Sequence, residues 1–320
     1  MEKAVESLLP GGEETEILIV DDGSTDRTAQ IADDYERRYP GIVRAVHQEN
    51  GGHGAAVMTG LKNASGLWFK VVDSDDWVEA EAYRKILDTL RSLAENPVDM
   101  LVSNYIYDKV ETGHQHVVHY RWPLPRDRVF RWEETRPFQR GQYILMHSVI
   151  YRTGLLRDCG MTLPANTFYV DDLYVYVPLA QAETMYYLDV NFYHYCIGRA
   201  DQSVQEQIMI SRIDQVLLVN RLMVSSVDPY MVEEKRKRGY MLNFLEIITA
   251  VASLLLVKSG TEENERKKND LWAFIEKENP RVYQTLSRRL SGRVILRGGK
   301  AGKLLLLSVY RVSRRIIGFN

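Results

Sequence analysis

The chain has 320 residues, 45% apolar and 26% charged, with a formal net charge of -2. That length suits one large α/β domain with an appendage, and a near-neutral total provides no global basic field for nucleic acid. Its two cysteines, Cys159 and Cys196, stand outside any CxxC or metal-like spacing, which excludes a disulfide scaffold and fits a reducing cytosol.

Met1 to Gly12 is amphipathic, without the basic start and long apolar core of a signal peptide. Glu16 to Val20 is a β-branched run ending in acids. Thr25 to Tyr39 has helical spacing, with Ser24 and Asp26 as capping types. Ile42 to His47 is strand-like, Gly54 to Ala64 helical, and Leu67 to Val72 a strand that again runs into acids. Glu79 to Glu95 is helical and Val98 to Ser103 a strand. This alternation predicts an α/β fold with a mostly parallel, doubly wound sheet flanked by helices, whose ligands sit beyond the carboxyl ends of strands. From Asp108 to Arg140 the alternation stops, and a polar, aromatic stretch reads as an irregular, substrate-facing insertion. After Gln205 the chain turns helical, around Arg212 to Val224, Glu233 to Val257 and Glu262 to Glu278. The apolar run Ile247 to Val257 is too short for a spanning helix, which needs about 20 residues. Residues 281–320 carry ten Lys/Arg and no Asp/Glu. Lys300 to Phe319 is expected to form a basic amphipathic helix on an anionic membrane surface, with docking on its own domain as the alternative.

Two acid clusters, Asp21-Asp22-Gly23-Ser24-Thr25-Asp26 and Asp73-Ser74-Asp75-Asp76-Trp77, each follow a strand. Carboxylates in an Asp-x-Asp pattern suit a hard divalent cation shared with phosphates, whereas a single strand-end Asp often only caps a helix. The glycine turn Asn50-Gly51-Gly52-His53-Gly54 opens a helix but lacks the dinucleotide-binding spacing.

In this order, Ile19-Val20-Asp21-Asp22-Gly23-Ser24-Thr25-Asp26, Gln48 to Gly54 and Val71-Val72-Asp73-Ser74-Asp75-Asp76-Trp77 resemble a family 2 glycosyltransferase of the inverting type with the GT-A fold, over roughly Met1 to Val204. The resemblance implies a nucleotide-sugar donor, a UDP-sugar above all, a glycan or lipid-linked acceptor, and Mn²⁺ or Mg²⁺. It assigns Asp22, with Asp21 and Gly23, to the nucleotide, Asp73 to the ribose side, and Asp75 with Asp73 to the metal. In Phe168-Tyr169-Val170-Asp171-Asp172 it makes Asp171 the general base, with Asp172 as close second and helix capping as the alternative. Arg199 matches a loop that closes on the diphosphate, with a surface arginine in a turn as the alternative, and His53 is a nucleotide contact or a simple turn residue. The helix after His53 has Ala56-Val57-Met58 where the family often has Ala-Arg-Asn, so no contacts are carried over there. The family's opening strand and its base-packing turn have no counterpart before Glu2, which suggests that Met1 is internal to the natural protein. Three regions are expected: 1–107 for the donor, 108–204 for the acceptor and 205–320 helical. The work of such an enzyme is cell-surface glycan or glycolipid synthesis, in the cytoplasm or peripheral on the inner membrane face. A non-catalytic sugar-nucleotide-binding module is the rival; a receiver domain is about half this length and has no use for Asp75-Asp76.

Overall fold

The computed structural model describes residues 1–109, 113–139, 141–198 and 202–296. Contacts divide the chain into Met1–Ile197 and Gly198–Asn320. The expected division at residue 107 falls inside a strand, and Arg199 and Lys300 to Phe319 lie outside the described residues.

The first unit opens with helix α1 (Glu2–Leu8), strand β1 (Ile17–Asp22), α2 (Thr28–Arg38), β2 (Val43–Gln48) and α3 (Gly52–Asn63). Alternation along β1 turns Ile17, Ile19 and Asp21 inward, the two isoleucines onto a cluster with Val5, Ala32, Tyr35 and Val43. β1 and β2 pair in parallel, Ile17 opposite Val43 and Asp22 opposite Gln48. This register brings the first acid turn beside the Gln48–Gly52 stretch.

Next come β3 (Trp68–Phe69), β4 (Trp77–Val78), α4 (Ala80–Ser92), β5 (Met100–Lys109), β6 (His114–Val118) and β7 (Val129–Arg131). β8 (Val149–Arg152), α5 (Thr153–Asp158), α6 (Asp171–Leu179) and β9 (Thr184–Ile197) complete the unit. The second sheet has the order β3-β8-β5-β9-β4, with β6 on β5 and β7 on β9. Among the described residues β1 and β3 share no ladder, although Gly60 of α3 lies close to both Val20 and Phe69.

The α/β class holds, but the sheet is mixed rather than mostly parallel. β1–β2 and β5–β9 are parallel; β3–β8, β5–β8, β5–β6, β7–β9 and β4–β9 are antiparallel. Helix–strand alternation locates elements but does not fix the direction of strands that return after an insertion. The stretch from Asp108 to Arg140 is likewise not wholly irregular. β5 runs on to Lys109 and β6 folds back on it, its outer residues exposed, so the strand lacks the apolar alternation that would reveal it.

Behind this sheet α4 packs Tyr83 and Ile86 on Leu101, Tyr105, Ile150, Phe192 and Tyr193. Glu79 caps α4 by accepting from the Ala82 N–H at 2.7 Å. A register shift in β5 at Ser103–Tyr105 lets Asn104 reach Asp189 and Asn191.

The second unit is helical: α7 (Glu206–Ser211), α8 (Ile213–Ser226), α9 (Lys235–Ser259), α10 (Glu262–Glu278), α11 (Pro280–Arg288) and α12 (Leu290–Leu296). α9 extends well beyond the apolar run seen in sequence. At 25 residues it is long and apolar enough to cross a membrane, but 67% of its most apolar window is buried inside the protein. Its Asn220–Thr249 bond to α8 at 3.1 Å and the Trp272–Ser253 bond to α10 at 3.1 Å are those of a bundle's central helix.

Candidate functional site

The acids after β3 form a tight turn closed by the Asp76 N–H on the Asp73 carbonyl at 3.1 Å. Asp76 points inward and is 1% exposed. Its carboxylate accepts from the Tyr193 hydroxyl at 2.7 Å and the Cys196 N–H at 2.8 Å. Burial nevertheless pushes its pKa up to about 8, with Asp73 adding to the push. The same Tyr193 hydroxyl accepts from the Asp73 N–H at 3.0 Å, so β9 holds both ends of the turn.

Asp73 faces two imidazoles: His53 Nε2 at 3.2 Å and His147 Nε2 at 3.6 Å. Burial acts to raise the Asp73 pKa, but the two histidines outweigh it and hold the carboxyl well below the usual range. For His53, burial acts downward and Asp73 wins, with Asp171 and Asp22 adding; its pKa is raised.

His147 sits on a 3₁₀ turn (Met146–Ser148) directly before β8. Its ring stacks on Tyr195 at 4.0 Å and meets Tyr193 edge-on at 5.0 Å. Both ring nitrogens are buried with no hydrogen-bond partner among the described residues. Lys70 fixes this turn, its ammonium donating to the Met146 carbonyl at 2.8 Å and the His147 carbonyl at 2.7 Å. Burial pulls the Lys70 pKa down to about 7, against the upward pull of Asp73 and Asp76.

One ligand atom each from Asp73, Asp76 and His147 lies within 4.8 Å of the others. Two carboxylates and an imidazole with orphaned nitrogens are a donor set that fits a divalent cation.

Asp171 and Asp172 open α6 and are half-buried. Just before them Asn166 and Tyr169 hold φ of +52° and +67°. Burial raises the Asp171 pKa, with His53 and His147 pulling the other way. Burial also pushes Asp172 well above the usual range, and Asp171 beside it adds to that. Asp171 thus shares the field of His53, His147 and Asp73, whereas Asp172 feels chiefly Asp171.

The first acid turn ties the glycine turn to β1. Asp22 accepts from Gln48 Nε2 at 2.6 Å and from the Gly51 and Gly52 N–H groups at 2.8 and 2.7 Å. Asp21 accepts from the Ser24 N–H at 3.1 Å and bonds His47 at 3.0 Å. Gly23, at φ +70°, has Asn50 N where a Cβ would stand 2.7 Å away. The glycine turn packs on the strand-free stretch before α6: the Asn166 N–H donates to the Gly51 carbonyl at 2.6 Å.

Of the expected residues, the fold brings His53 and Asp73 into contact, with Asp171 in their field and Asp172 next to it in the chain. Asp75 stands exposed at the tip of its turn, outside the Asp73–Asp76–His147 trio. Asp76, His147 and Lys70 were given no role from sequence. No motif flags His147; its only signal is its place directly ahead of β8, the strand that sits between β3 and β5.

The model of the family described as Glycosyl transferase family 2 matches residues 1–155. The putative glycosyltransferase EpsH of Bacillus subtilis is 36% identical over 98 residues, covering 31% of this chain and 27% of that protein. The poly(ribitol-phosphate) beta-N-acetylglucosaminyltransferase TarS of Staphylococcus aureus (strain Mu50) is 26% identical over 285 residues, covering 87% of this chain and 46% of that protein. The chain thus spans about a quarter to a half of the length of these relatives. The crystal structure of S. aureus TarS 1–349 with UDP-GlcNAc superposes with a TM-score of 0.65 at 20% identity, covering 98% of this chain and 89% of that one. That likeness is one of fold, and the fold is GT-A with a helical region after it. The match and the shared fold place residues 1–155, just under half of the chain, in glycosyl transferase family 2.

Proposed function

We propose that this chain is an inverting glycosyltransferase that moves a sugar from a UDP-linked donor to an acceptor hydroxyl on a cell-surface glycan or a lipid-linked glycan, at the cytoplasmic face of a membrane. The observation that carries it is the cluster of Asp73, Asp76 and His147 within 4.8 Å, with His53 3.2 Å from Asp73 and Asp171 opening α6. TarS, a relative and fold neighbour, is crystallised with UDP-GlcNAc, which makes a UDP-sugar the donor to try first.

Asp73, Asp76 and His147 would hold the divalent ion, which, when bound, supplies Lewis-acid stabilisation to the leaving diphosphate. Asp171 takes the proton of the acceptor hydroxyl as its oxygen bonds to the anomeric carbon and the bond from that carbon to the phosphate oxygen breaks. A carboxylate whose pKa is raised by burial is the stronger base, and the start of α6 favours its ionised form. His53 keeps Asp73 ionised and oriented.

The test is turnover of UDP-GlcNAc with Mn²⁺, read as hydrolysis and as transfer. Asp171→Asn is expected to keep donor binding and lose turnover by about a hundredfold, the scale of a lost general base. Donor binding without turnover by the unmutated chain would make it a binding module. The same loss in Asp172→Asn alone would move the base by one position.

A further inference from the structure

Trp122 is 56% exposed, and the Arg136 guanidinium lies 4.8 Å from its ring centroid. Neither residue has a part in the site described above. Large aromatic side chains are ordinarily well buried, so a tryptophan held in water calls for a reason.

The loop that carries it is firmly built. Tyr120, two residues earlier, is fully buried, with its hydroxyl 2.9 Å from Ser148 Oγ, next to His147. Its N–H donates to the Tyr187 hydroxyl at 3.1 Å, and that hydroxyl donates to Asn104 Oδ1 at 2.7 Å. Arg121 is tied to Asp189 at 2.8 Å. The Arg136 N–H donates to the Pro123 carbonyl at 2.8 Å, which fastens the two halves of the Trp122–Arg136 pair to each other through the backbone. The ring is displayed by a rigid mount tied to the turn that bears His147.

The surroundings select the occupant. Arg121 and Arg126 share one carboxylate, Asp189, and Arg136 meets no carboxylate within ion-pair distance among the described residues. Two guanidiniums thus share one carboxylate, and the third has none within that distance. Among the described residues Val129 is the other large apolar residue exposed on this loop, and the two make no contiguous apolar patch for a protein partner. A flat ring takes the C–H face of a sugar or polyol unit, and a guanidinium without a carboxylate partner, here that of Arg136, takes phosphate or carboxylate oxygens.

We propose that Trp122 and Arg136 form a platform for an anionic, phosphate-bearing glycan or polyol chain, gripping the acceptor away from the reacting hydroxyl. The assignment to the acceptor rests on the transferase reading above, whereas the binding chemistry does not.

The experiment measures binding of the full chain to poly(glycerol phosphate) and to neutral dextran of similar length, for the unmutated protein and for Trp122→Ala, Trp122→Phe and Arg136→Ala. Melting temperatures verify that each variant is folded. The unmutated chain is expected to bind the polyanion and not dextran. Trp122→Ala should weaken binding about tenfold, Trp122→Phe should restore most of it, and Arg136→Ala should weaken it about tenfold and flatten its salt dependence. Wild-type binding by Trp122→Ala, equal binding of dextran, or no binding of either polymer would overturn the proposal. UDP-GlcNAc hydrolysis by the unmutated chain is read in parallel. Its absence together with Trp122-dependent binding would sink the transferase reading and leave the platform standing.

Discussion

Gly54 and Gly60 lie in the same helix, α3, and an alanine at each should shift stability in opposite directions. Replacing glycine by alanine in a helix is worth about 1 kcal/mol in favour of the folded state when nothing else changes. At Gly60 a Cβ would meet Phe69 Cζ at 3.6 Å and Val20 Cγ2 at 3.8 Å, ordinary contact distances. Gly60→Ala should therefore stabilise by roughly 0.5–1 kcal/mol. At Gly54 the Cβ would stand 2.8 Å from the Pro164 carbonyl oxygen and 3.1 Å from Leu163 Cβ. The first of these is backbone and cannot rotate away, so the stretch leading to Asp171 must move. Overpacking of this kind costs about 1–3 kcal/mol, which outweighs the helix gain and leaves a net loss of about 1 kcal/mol. The two variants should differ by about 2 kcal/mol, or roughly 4–8 °C in midpoint for a unit of this size. Thermal and urea unfolding of the pair decides the matter. A Gly54→Ala protein as stable as Gly60→Ala would mean that the glycine turn does not bear on the stretch before α6, and the link from that turn to Asp171 would be lost.

Hydrogen bonds to Asp21, then Asp33, raise the His47 pKa above its ordinary 6.5. The stabilisation from His47 is then fully present below pH 6.5 and lost as pH rises through the raised value, so His47→Ala should lower the urea midpoint at pH 5.5 and match the parent at pH 9; equal losses at both would refute the linkage. Lys70→Met leaves the Met146 and His147 carbonyls without their donor, and should cost about 2 kcal/mol in metal-free unfolding and weaken Mn²⁺ binding; Mn²⁺ affinity equal to the parent's would separate Lys70 from the aim of His147. In Mn²⁺ titrations of folded variants, Asp76→Asn should lose at least about tenfold in affinity and Asp75→Asn less, because Asp76 stands with Asp73 and His147 while Asp75 is exposed. The reverse order would return the ion to Asp73 and Asp75.

The strand-end acids were legible because a β-branched run followed by carboxylates is local information: Ile17–Asp22 and the turn after Phe69 stand where the sequence puts them. Asp171 and Asp172 were legible for the same reason, as a pair opening a helical segment. What escaped was long-range. His147 reaches Asp73 only because β8 sits between β3 and β5, and nothing near position 147 states that order. Lys70 looks like a polar interruption in an apolar strand; its ammonium finds partners 76 and 77 residues away. The roles within Asp73–Asp76 were also beyond local pattern. Spacing offers Asp73 and Asp75 as a pair, but the closing bond from the Asp76 N–H to the Asp73 carbonyl turns Asp75 outward and Asp76 onto Tyr193 and Cys196. β6 escaped because an edge strand with exposed outer residues has no period to read.

Asp22 shows how one carboxylate can answer to two readings, and how they part. The resemblance gives it to the nucleotide. In the fold its oxygens already accept from Gln48, Gly51 and Gly52, and its own carbonyl accepts from Asn50 Nδ2 at 2.9 Å. A carboxylate has about four lone-pair sites, so three donors leave room for one more and both roles are chemically open. They differ in what the protein loses before any ligand arrives. Removing a carboxylate that ties two backbone N–H groups strands those donors, at about 1–3 kcal/mol for each that water does not reach. It also loosens Gly51, whose carbonyl accepts from the Asn166 N–H, and with it the approach to Asp171. Asp22→Ala should therefore lower ligand-free stability by about 2 kcal/mol and slow turnover even at saturating donor. Loss of donor affinity alone, with the ligand-free unfolding midpoint unchanged, would assign Asp22 to the nucleotide and free the glycine turn from it.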